Sequence, residues 1–469
     1  MYTSYLSLTL LFLLAPEAAA WPLYSSLTGR TPPIASGVGY LAKLRLPFRS
    51  AASNITGTID IVPLFDAKYA ERELQDVLKK YANVTDILKD VGLVSDPSII
   101  NPLNNAEARA GSATNLSGTS VSAEAHADVL IPLVNANPTP QAANDPLTDY
   151  ISGMLDLEYF GPLNLGTPKQ QLTFDIDTGS ADLWILVGCD TCNNRQFEST
   201  KSQTYRDTKQ LFSVTYGSGQ VSGTLARDTV SVGSLTATTQ YFGAVNQVSD
   251  DFNETPSDGL VGLAFGSIAS SGRPTFFETL MSQGSVAAPL FSVFLERKQM
   301  HGSEICFGCY DMTKAIGPIT WVPVTSKTYW AVSMDGVLVN GHPVATLLTA
   351  AIDTGTTLIY VPEIVARQVY EHIPGAQSIG NGFYSYNCSS YPTISLSFGG
   401  KAFRLSMQDF NLGRLSPGSN QCVGGILSLG NNFESSFAII GDEFLKSWYS
   451  TYDYSHGARV GFSPSVANQ

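Results

Sequence analysis

Short runs of apolar residues, or of alternating apolar and polar residues, recur from about residue 145 to the C-terminus. Examples are Gln171 to Ile176, Phe212 to Tyr216 and Thr229 to Val232, each bounded by turn residues such as Gly, Ser, Asp and Pro. Runs of this kind are typical of β-strands. The pattern predicts a mainly β fold with few short helices, the best candidates being Pro274 to Gln283 and Pro362 to Glu371.

The N-terminal 144 residues follow a different pattern. An apolar run from Leu6 to Leu14, too short to span a bilayer, precedes three alanines, which predicts that residues 1–20 are a signal peptide. Residues 21–144 combine a helical-looking stretch, Ala67 to Leu88, with a run rich in Ser, Ala, Asn and Pro. We interpret this part as a propeptide and linker.

Composition narrows the possible partners. The chain has 40 acidic and 27 basic side chains and a net charge of -13, which argues against nucleic acid or an anionic membrane as a partner. No later run is apolar enough to span or anchor in a membrane, so we expect a secreted, extracellular protein, with the vacuole as an alternative destination. Secretion makes Asn-x-Ser/Thr sites candidates for glycosylation. These sites are Asn54, Asn83, Asn115, Asn253 and Asn387.

The second part repeats one motif. Asp177-Thr178-Gly179-Ser180 and Asp353-Thr354-Gly355-Thr356 both follow an apolar run and lead into another. Two apolar residues and a glycine, Gly262 or Gly441, come 85 and 88 positions after the respective Asp. Matched motifs at nearly equal spacing indicate a duplicated half of roughly 170 residues.

The repeat suggests its own chemistry. If the two halves pack face to face, the carboxylates of Asp177 and Asp353 meet and share one proton, because two adjacent charges cannot both form in a buried site. One carboxylate can then deprotonate a water while the other protonates a carbonyl oxygen, which hydrolyses an amide without a covalent intermediate. A single Asp-Thr-Gly is usually only a turn, but two matched copies favour a catalytic pair.

The six cysteines fit an oxidising compartment. Cys189/Cys192 and Cys306/Cys309 have zinc-like spacing, but metal binding would require the two pairs to meet as a four-cysteine site. Disulfides are the favoured interpretation, and we expect no metal and no cofactor.

The motifs and their order resemble the pepsin-like aspartic proteases, in particular secreted fungal members, from about Leu155 to Pro464. Tyr159-Phe160-Gly161 resembles the opening strand of that family, and Tyr216-Gly217-Ser218-Gly219 resembles the tip of its flap, the hairpin that closes over substrate. The resemblance implies a bilobal acid protease fold: two six-stranded-type β-barrel lobes, residues 145–320 and 321–469, arise by internal duplication and enclose a cleft.

The resemblance also implies roles for individual residues. Asp177 and Asp353 would be catalytic, and a further set would support them or contact the substrate. That set is Thr178, Gly179, Ser180, Trp184, Tyr216, Gly217, Ser218, Thr354, Gly355 and Thr356. Cys388–Cys422 would be the bridge of the second lobe and Cys189–Cys192 would close a turn. Cys306 and Cys309 could pair only if the chain bends at Gly308, because residues three apart in a strand are too distant.

Function then has two candidates. One is an acid endopeptidase that acts as a monomer on proteins and peptides, with large apolar or aromatic residues flanking the scissile bond. The other is a binding or inhibitor-like protein of the same fold that has lost catalysis, and the presence of Asp177, Asp353 and Tyr216 favours the enzyme. Asp182, where a neutral residue is commoner, is interpreted as a solvated turn carboxylate.

The resemblance finally implies an inactive precursor. The helical-looking stretch contains Lys79-Lys80-Tyr81, which is similar to the Lys-Tyr pair with which pepsin-like prosegments plug the cleft. The alternative is that both lysines are solvated charges on a helix. Cleavage is expected between about Asn135 and Thr148, so that the first strand of the mature enzyme is retained.

Overall fold

The computed structural model describes residues 63–90 and 140–468, apart from Met154, Gly217, Ser218, Glu254, Ala345 and Thr346. The predicted signal peptide, Asn54 and Asn115 lie outside the described residues, as do Gly217 and Ser218 of the predicted flap tip.

The described part is mainly β, which confirms the predicted fold class. The strands of the first half are β1 Ala143–Ser152, β2 Leu155–Leu165, β3 Gln170–Asp177, β4 Leu183–Leu186, β5 Arg206–Tyr216, β6 Gly219–Val232, β7 Leu235–Val248, β8 Gly259–Gly262, β9 Leu290–Phe294 and β10 His301–Phe307. Those of the second half are β11 Thr320–Lys327, β12 Trp330–Met334, β13 Gly336–Val339, β14 His342–Pro343, β15 Leu348–Ile352, β16 Ile359–Val361, β17 Gln377–Gly380, β18 Phe383–Asn387, β19 Ile394–Phe398, β20 Lys401–Arg404, β21 Asn411–Arg414, β22 Gln421–Gly424, β23 Ile426–Ser428, β24 Phe437–Ile440, β25 Trp448–Asp453 and β26 Arg459–Pro464.

The helices are short and few in the described part. They are α1 Ala67–Lys80, α2 Val84–Asp90, α3 Phe276–Ser282, α4 Glu363–Glu371, α5 Met407–Phe410 and α6 Asp442–Leu445. α3 and α4 confirm the two helices predicted in the second part. α3 begins at a capping box, in which the Thr275 hydroxyl accepts from the backbone N–H of Glu278 while the Glu278 carboxylate accepts from that of Thr275.

A continuous ladder of antiparallel strands connects the two halves. Its order is β2, β1, β10, β9, β25, β26 and β11, so strands from the first half and from the end of the chain hydrogen-bond directly. β1 pairs with β10 from Ala143 onwards, and Gln141 exchanges backbone hydrogen bonds with Ser285 and Ala287. The predicted boundary between residues 144 and 145 therefore falls inside β1.

Residues 63–90 pack against the second half of the chain. Ala70, Leu74 and Val77 of α1 are buried at the three- and four-residue spacing of an amphipathic helix. These residues, together with Tyr81 and Val84, share one apolar cluster with strand residues such as Phe437. The stretch predicted as helical from Ala67 to Leu88 is thus two helices, separated by a turn at residues 81–83.

Three disulfides are present. Cys189–Cys192, Cys306–Cys309 and Cys388–Cys422 have Cα–Cα distances of 5.5, 5.3 and 5.0 Å. Cys306 and Cys309 reach each other because the chain turns at Gly308, whose φ of 74° suits glycine. The four cysteines with zinc-like spacing are therefore bonded in two pairs, and their sulfur atoms are not free thiolates.

Removing the long bridge should cost much more stability than removing a short one. Cys388–Cys422 closes a sequence separation of 34, which in the chain-entropy model contributes about 3–4 kcal/mol to the free energy of unfolding. The double replacement Cys388→Ser and Cys422→Ser should lower the urea-derived free energy of unfolding by that amount. The matched control is Cys189→Ser with Cys192→Ser, which should cost less than half as much; equal losses would contradict the loop-length argument.

Candidate active site

The two Asp-Thr-Gly loops occupy equivalent places in the two halves. β3 runs parallel to β8, so that Asp177 at its end lies beside Gly262. β15 runs parallel to β24 in the same way, and the N–H of Asp353, directly after β15, donates to the carbonyl of Ile440 at 3.0 Å. The motif and its downstream glycine are therefore neighbours in both halves, as expected of a duplicated unit.

The glycines of the motif allow the two loops to approach each other. A Cβ atom on Gly179 would overlap the carboxylate of Asp353, and one on Gly355 would overlap the carboxylate of Asp177. Any side chain at either position would push the opposite carboxylate away. The glycine of each Asp-Thr-Gly motif is therefore required for close contact between the halves, in addition to its part in the local turn.

The two threonines join the loops beneath the carboxylates. The N–H of Thr178 donates to Thr354 Oγ1 at 3.1 Å, and the N–H of Thr354 donates to Thr178 Oγ1 at 3.0 Å. Each hydroxyl in turn donates across the interface to a carbonyl, that of Ile352 at 2.9 Å and that of Ile176 at 2.6 Å. This reciprocal arrangement fixes the relative position of Asp177 and Asp353.

Both carboxylates are buried and hydrogen-bonded. Asp177 is 2% exposed and Asp353 is fully buried. Asp177 Oδ1 accepts from the N–H of Gly179 at 2.8 Å, and Asp353 Oδ1 accepts from the N–H of Gly355 at 2.9 Å. Thr356 Oγ1 donates to Asp353 Oδ2 at 2.5 Å. Thr356, one of the residues that the resemblance implies as supporting, therefore contacts the carboxylate of Asp353 directly.

One lysine side chain reaches both carboxylates. Lys80 Nζ lies 2.9 Å from Asp177 Oδ1 and 2.9 Å from Asp353 Oδ2, so these oxygens are at most twice that distance apart. The hydroxyl of the neighbouring Tyr81 also donates to Asp353 Oδ2 at 2.9 Å. Lys79, by contrast, has a side chain that is 56% exposed and lies 3.8 Å from Asp76. Lys80 is thus the lysine of the pair that contacts the site.

The two carboxyl groups differ in acidity. Burial raises the pKa of Asp177, and the charge of Asp353 adds to this rise while the Lys80 ammonium opposes it. Burial also disfavours the charge of Asp353, but Lys80 and the Thr356 hydroxyl outweigh it and hold the pKa of Asp353 below its ordinary value. Lys80 and the Thr356 hydroxyl therefore favour the ionised form of Asp353, and the two carboxyl groups titrate as a pair.

The aromatic residues predicted beside the site lie together. The rings of Tyr216 and Trp184 have centroids 6.4 Å apart, and Phe252 contacts both. The Tyr216 hydroxyl, the Trp184 indole N–H and the Ser180 hydroxyl are buried and have no hydrogen-bond partner within the described residues. The Ser180 hydroxyl nevertheless acts on Asp177, whose pKa it lowers against the effect of burial.

Asp182 corrects one interpretation made from the sequence. It is 5% exposed, and its carboxylate accepts from the N–H groups of Ser270 at 2.7 Å and Ser271 at 3.0 Å. The solvated turn carboxylate expected there is in fact a buried group that holds a distant loop in place. The sequence carried no signal for this contact, since the partners follow almost 90 positions later.

Comparison with known proteins adds the family. A family model described as eukaryotic aspartyl protease matches residues 158–465, which include both Asp-Thr-Gly loops. The chain belongs to the eukaryotic aspartyl proteases. Its assignment as a pepsin-like aspartic endopeptidase is thereby confirmed.

Relatives of this aspartyl protease come from fungi and animals. The aspartic protease of Phaffia rhodozyma is 39% identical over 331 residues, which cover 68% of this chain and 78% of the relative. Major aspartyl peptidase 1 of Cryptococcus neoformans is 33% identical, and the match covers 66% of this chain and 69% of the relative. Pepsin A of the bat Rhinolophus ferrumequinum is 34% identical, with 69% and 85% covered.

Sequence reasoning missed one acidic residue on α1, the helix that covers the two carboxylates. Glu73 of α1 is 7% exposed, and its Oε1 accepts from the N–H groups of Thr357 at 2.6 Å and Leu358 at 3.1 Å. Burial raises the pKa of Glu73 to about 7 despite these two hydrogen bonds. Its position within the amphipathic pattern, beside Leu74 on the buried face, was the signal that could have identified it.

Among the residues that the structure describes, none of the helices combines the length and the apolar character needed to cross a bilayer.

Proposed function

We propose that this chain is made as a secreted, inactive precursor, and that acid releases an endopeptidase in which Asp177 and Asp353 activate a water to hydrolyse peptide bonds. The observation that carries the proposal is the position of Lys80 Nζ, at hydrogen-bonding distance from one oxygen of each aspartate. A water molecule at that position would contact both carboxylates. Lys80 would therefore occupy the place of the nucleophile.

Each residue then has a defined part in the proposed reaction. The ionised carboxylate of the pair takes a proton from the water, and the protonated partner donates to the carbonyl oxygen of the substrate. Thr178 and Thr354 would keep the carboxylates aligned. Gly179 and Gly355, together with the flap residues, would contact the substrate backbone, since an extended peptide needs small residues where main chains meet.

The reaction needs one proton on the pair, which gives a direction to its pH dependence. As the pH rises, the second carboxyl group loses its proton and no general acid remains. Activity should therefore fall between weakly acidic and neutral pH. Extracellular or vacuolar destinations of low pH would suit such an enzyme.

The precursor proposal is supported by three further hydrogen bonds. The Tyr69 hydroxyl lies 2.8 Å from Thr357 Oγ1, next to the second Asp-Thr-Gly loop. The N–H of Phe65 donates to the carbonyl of Arg414 at 2.9 Å, and the N–H of Arg414 donates to the carbonyl of Pro63 at 2.7 Å. Residues 63–90 are thus attached at several points and cover the proposed catalytic pair. A substrate could not enter the site while they are bound.

Acid should release this segment. The ionised form of Asp353 is stabilised in the docked state, so its contribution is present above the ordinary pKa of a free aspartate and is lost as the pH falls below it. Glu73 has the opposite effect on docking as the pH falls. Its pKa in the docked state is about 7, so its buried negative charge weakens docking most above pH 7. This penalty disappears once Glu73 is protonated. Release should therefore wait until Asp353 is protonated, below about pH 4.

Two of the candidate glycosylation sites are well placed for a glycan. Asn83 follows α1 and Asn387 ends β18, and both side chains are exposed. We propose both as modified in the secreted precursor, and glycans on the segment would leave with it. The side chain of Asn253 lies outside the described residues.

The test is to purify the secreted precursor at neutral pH and then acidify it. A protein substrate should be cleaved only after acidification, and a statine-type inhibitor should block the cleavage. The new N-terminus should fall between about Asn135 and Pro140, because Gln141 and β1 are hydrogen-bonded into the connecting ladder. A precursor that is fully active at neutral pH, or an active product that retains residues 63–90, would contradict the proposal.

A further inference from the structure

The first residues of the described segment form a short strand against β21. β17, β18, β22 and β21 hydrogen-bond in that order, so β21 lies at one edge of this sheet among the described strands. On the outer side of β21, Leu64 pairs with Arg414 in a parallel bridge. The N–H and the carbonyl of Arg414 both take part, with Pro63 and Phe65 as their partners. The precursor segment therefore extends the sheet by one short strand.

Gly413 of β21 allows the two main chains to come this close. Its φ is 115°, a conformation that favours glycine. A Cβ atom on Gly413 would lie 2.8 Å from the carbonyl oxygen of Pro63 and 2.9 Å from the backbone nitrogen of Phe65. Favourable contacts of a carbon atom lie at about 3.5–4.0 Å. A side chain at this position would therefore push the docked strand away.

The side chain of Phe65 packs beside this edge. The rings of Phe65 and Phe383 meet edge to face, with centroids 5.6 Å apart. Phe383 is 4% exposed while the segment is in place, and it belongs to the same apolar cluster as Leu412 of β21. Leu64, one residue before Phe65, is 50% exposed. The edge thus holds an extended main chain and one aromatic side chain.

Residues 63–65 leave with the rest of the segment in the proposed activation. The outward N–H and carbonyl of Arg414 then lose their partners, and Phe383 loses the ring that covers it. An unpaired strand edge with an apolar contact beside it is a template for another extended chain. Substrates of an endopeptidase bind as extended chains, so a substrate offers the main chain that this edge accepts.

We propose that β21 and Phe383 form a docking site of the processed enzyme, which binds an extended stretch of a protein substrate that carries a Phe, Tyr or Trp side chain at a distance from the scissile bond. The substrate main chain would take the place of residues 63–65, and its aromatic ring that of Phe65. The inference rests on the proposed function, since it requires that the segment leaves and that Asp177 and Asp353 mark the scissile bond.

The length of α1 sets the spacing between this docking site and the catalytic pair. α1 begins two residues after Phe65 and ends at Lys80, which contacts both carboxylates. Its 14 residues span about 20 Å along the helix axis. An extended peptide covers that distance with about six residues. A short peptide around the scissile bond therefore cannot reach the docking site, whereas a protein substrate can.

The experiment compares fluorogenic peptides cleaved by the processed enzyme after the released segment has been removed. A short peptide contains only the residues around the scissile bond. Long peptides extend it on one side or the other and place a single Phe, or a Gly instead, at successive positions of the added flank. At one spacing the Phe peptide should have a KM about tenfold below that of its Gly counterpart, from one aromatic contact and two main-chain hydrogen bonds. The kcat should not change, because the docking site is far from the reacting atoms.

N-methylation of the peptide tests the main-chain contact without any change to the enzyme. The N–H of Phe65 donates to the carbonyl of Arg414 in the precursor. A methyl group on the corresponding nitrogen of the long Phe peptide removes this donor and crowds the strand edge, while the ring is retained. The KM should then rise to that of the Gly peptide. This result does not depend on the folding of an enzyme variant.

Gly413→Ala is the enzyme variant, and Gly418→Ala is its matched control. Both glycines have a positive φ, and Gly418 lies in the turn that joins β21 to β22. A Cβ atom on Gly418 would meet no atom of the described residues within 4 Å. Gly413→Ala should remove the advantage of the long Phe peptide, and Gly418→Ala should keep it. Cleavage of the short peptide shows that each variant is folded and catalytic.

The outcomes separate the docking site from the proposed function. Equal KM values for the Phe and Gly peptides at every spacing would overturn the docking site, while the proposed function stands. Retention of a fragment containing residues 63–66 by the processed enzyme at acid pH, detected by mass spectrometry after gel filtration, would also overturn it, because the edge would then be occupied by the chain's own segment. If not even the short peptide is cleaved at any pH, the proposed function itself fails.

Discussion

Asp177→Asn and Asp353→Asn should each lower the kcat/KM of the processed enzyme by at least about a thousandfold, because each removes one partner of the proton transfer. Asn is nearly the same size as Asp and can still accept the hydrogen bond from Gly179 or Gly355 at its amide oxygen. The threonine contacts beneath are left in place. The loss should therefore be in catalysis, with the folded structure retained.

The measurement is peptide hydrolysis at acid pH by each purified variant. The variants cannot process themselves, so the wild-type enzyme must remove their N-terminal segment in trans and then be separated. Circular dichroism and urea unfolding report on the fold. Asp190→Asn, at an exposed position of the first half, is the control and should keep wild-type activity. Turnover near that of wild type in either variant would exclude Asp177 and Asp353 as the catalytic pair.

Much of the fold was predictable because its signals are local. The alternating run at Gln171 to Ile176 lies within β3, and the proline-started runs became α3 and α4. The duplicated loops were also predictable, since a motif such as Asp-Thr-Gly is a few residues long and occurs twice. Only glycine at the third position of each motif lets the two loops approach each other, and both copies in the sequence have it. The family resemblance indicated that these two loops form the site.

Features that depend on register between distant strands were not predictable. Asp175 lies near Glu158, whose carboxylate raises the pKa of Asp175, only because Phe160 lies opposite Asp175 in the β2–β3 ladder. Asp182 is buried because the loop at Ser270 reaches it. Neither pairing follows from the residues themselves, because an isolated Asp near a turn is solvated in most contexts. The same limit left the choice between Lys79 and Lys80 open, until the end of α1 directed only Lys80 at the carboxylates.

Lys80→Met in the precursor should abolish its latency at pH 5, where the wild-type precursor remains inactive. Removing one partner from a buried charge contact costs about 3–5 kcal/mol, which corresponds to docking weakened by at least about a hundredfold. Met keeps the length and apolar stem of the side chain, so the apolar contacts of α1 remain. Hydrolysis of a small peptide by the uncleaved precursor, measured before processing begins, should rise accordingly.

Lys79→Met is the matched control, since Lys79 is adjacent in sequence but its side chain is 56% exposed. This variant should stay latent at pH 5 and activate below about pH 4, like wild type.

A second measurement does not depend on folding of the precursor variant: synthetic peptides of residues 63–90 are added to the processed enzyme as inhibitors. The wild-type peptide should inhibit at pH 5 and lose potency as Asp353 is protonated, because the ionised carboxylate is the form that Lys80 stabilises. A peptide carrying Lys80→Met should inhibit weakly and with little dependence on pH. Equal inhibition by the two peptides, or unchanged latency of the Lys80→Met precursor, would show that the apolar face of α1 and not the lysine keeps the enzyme inactive.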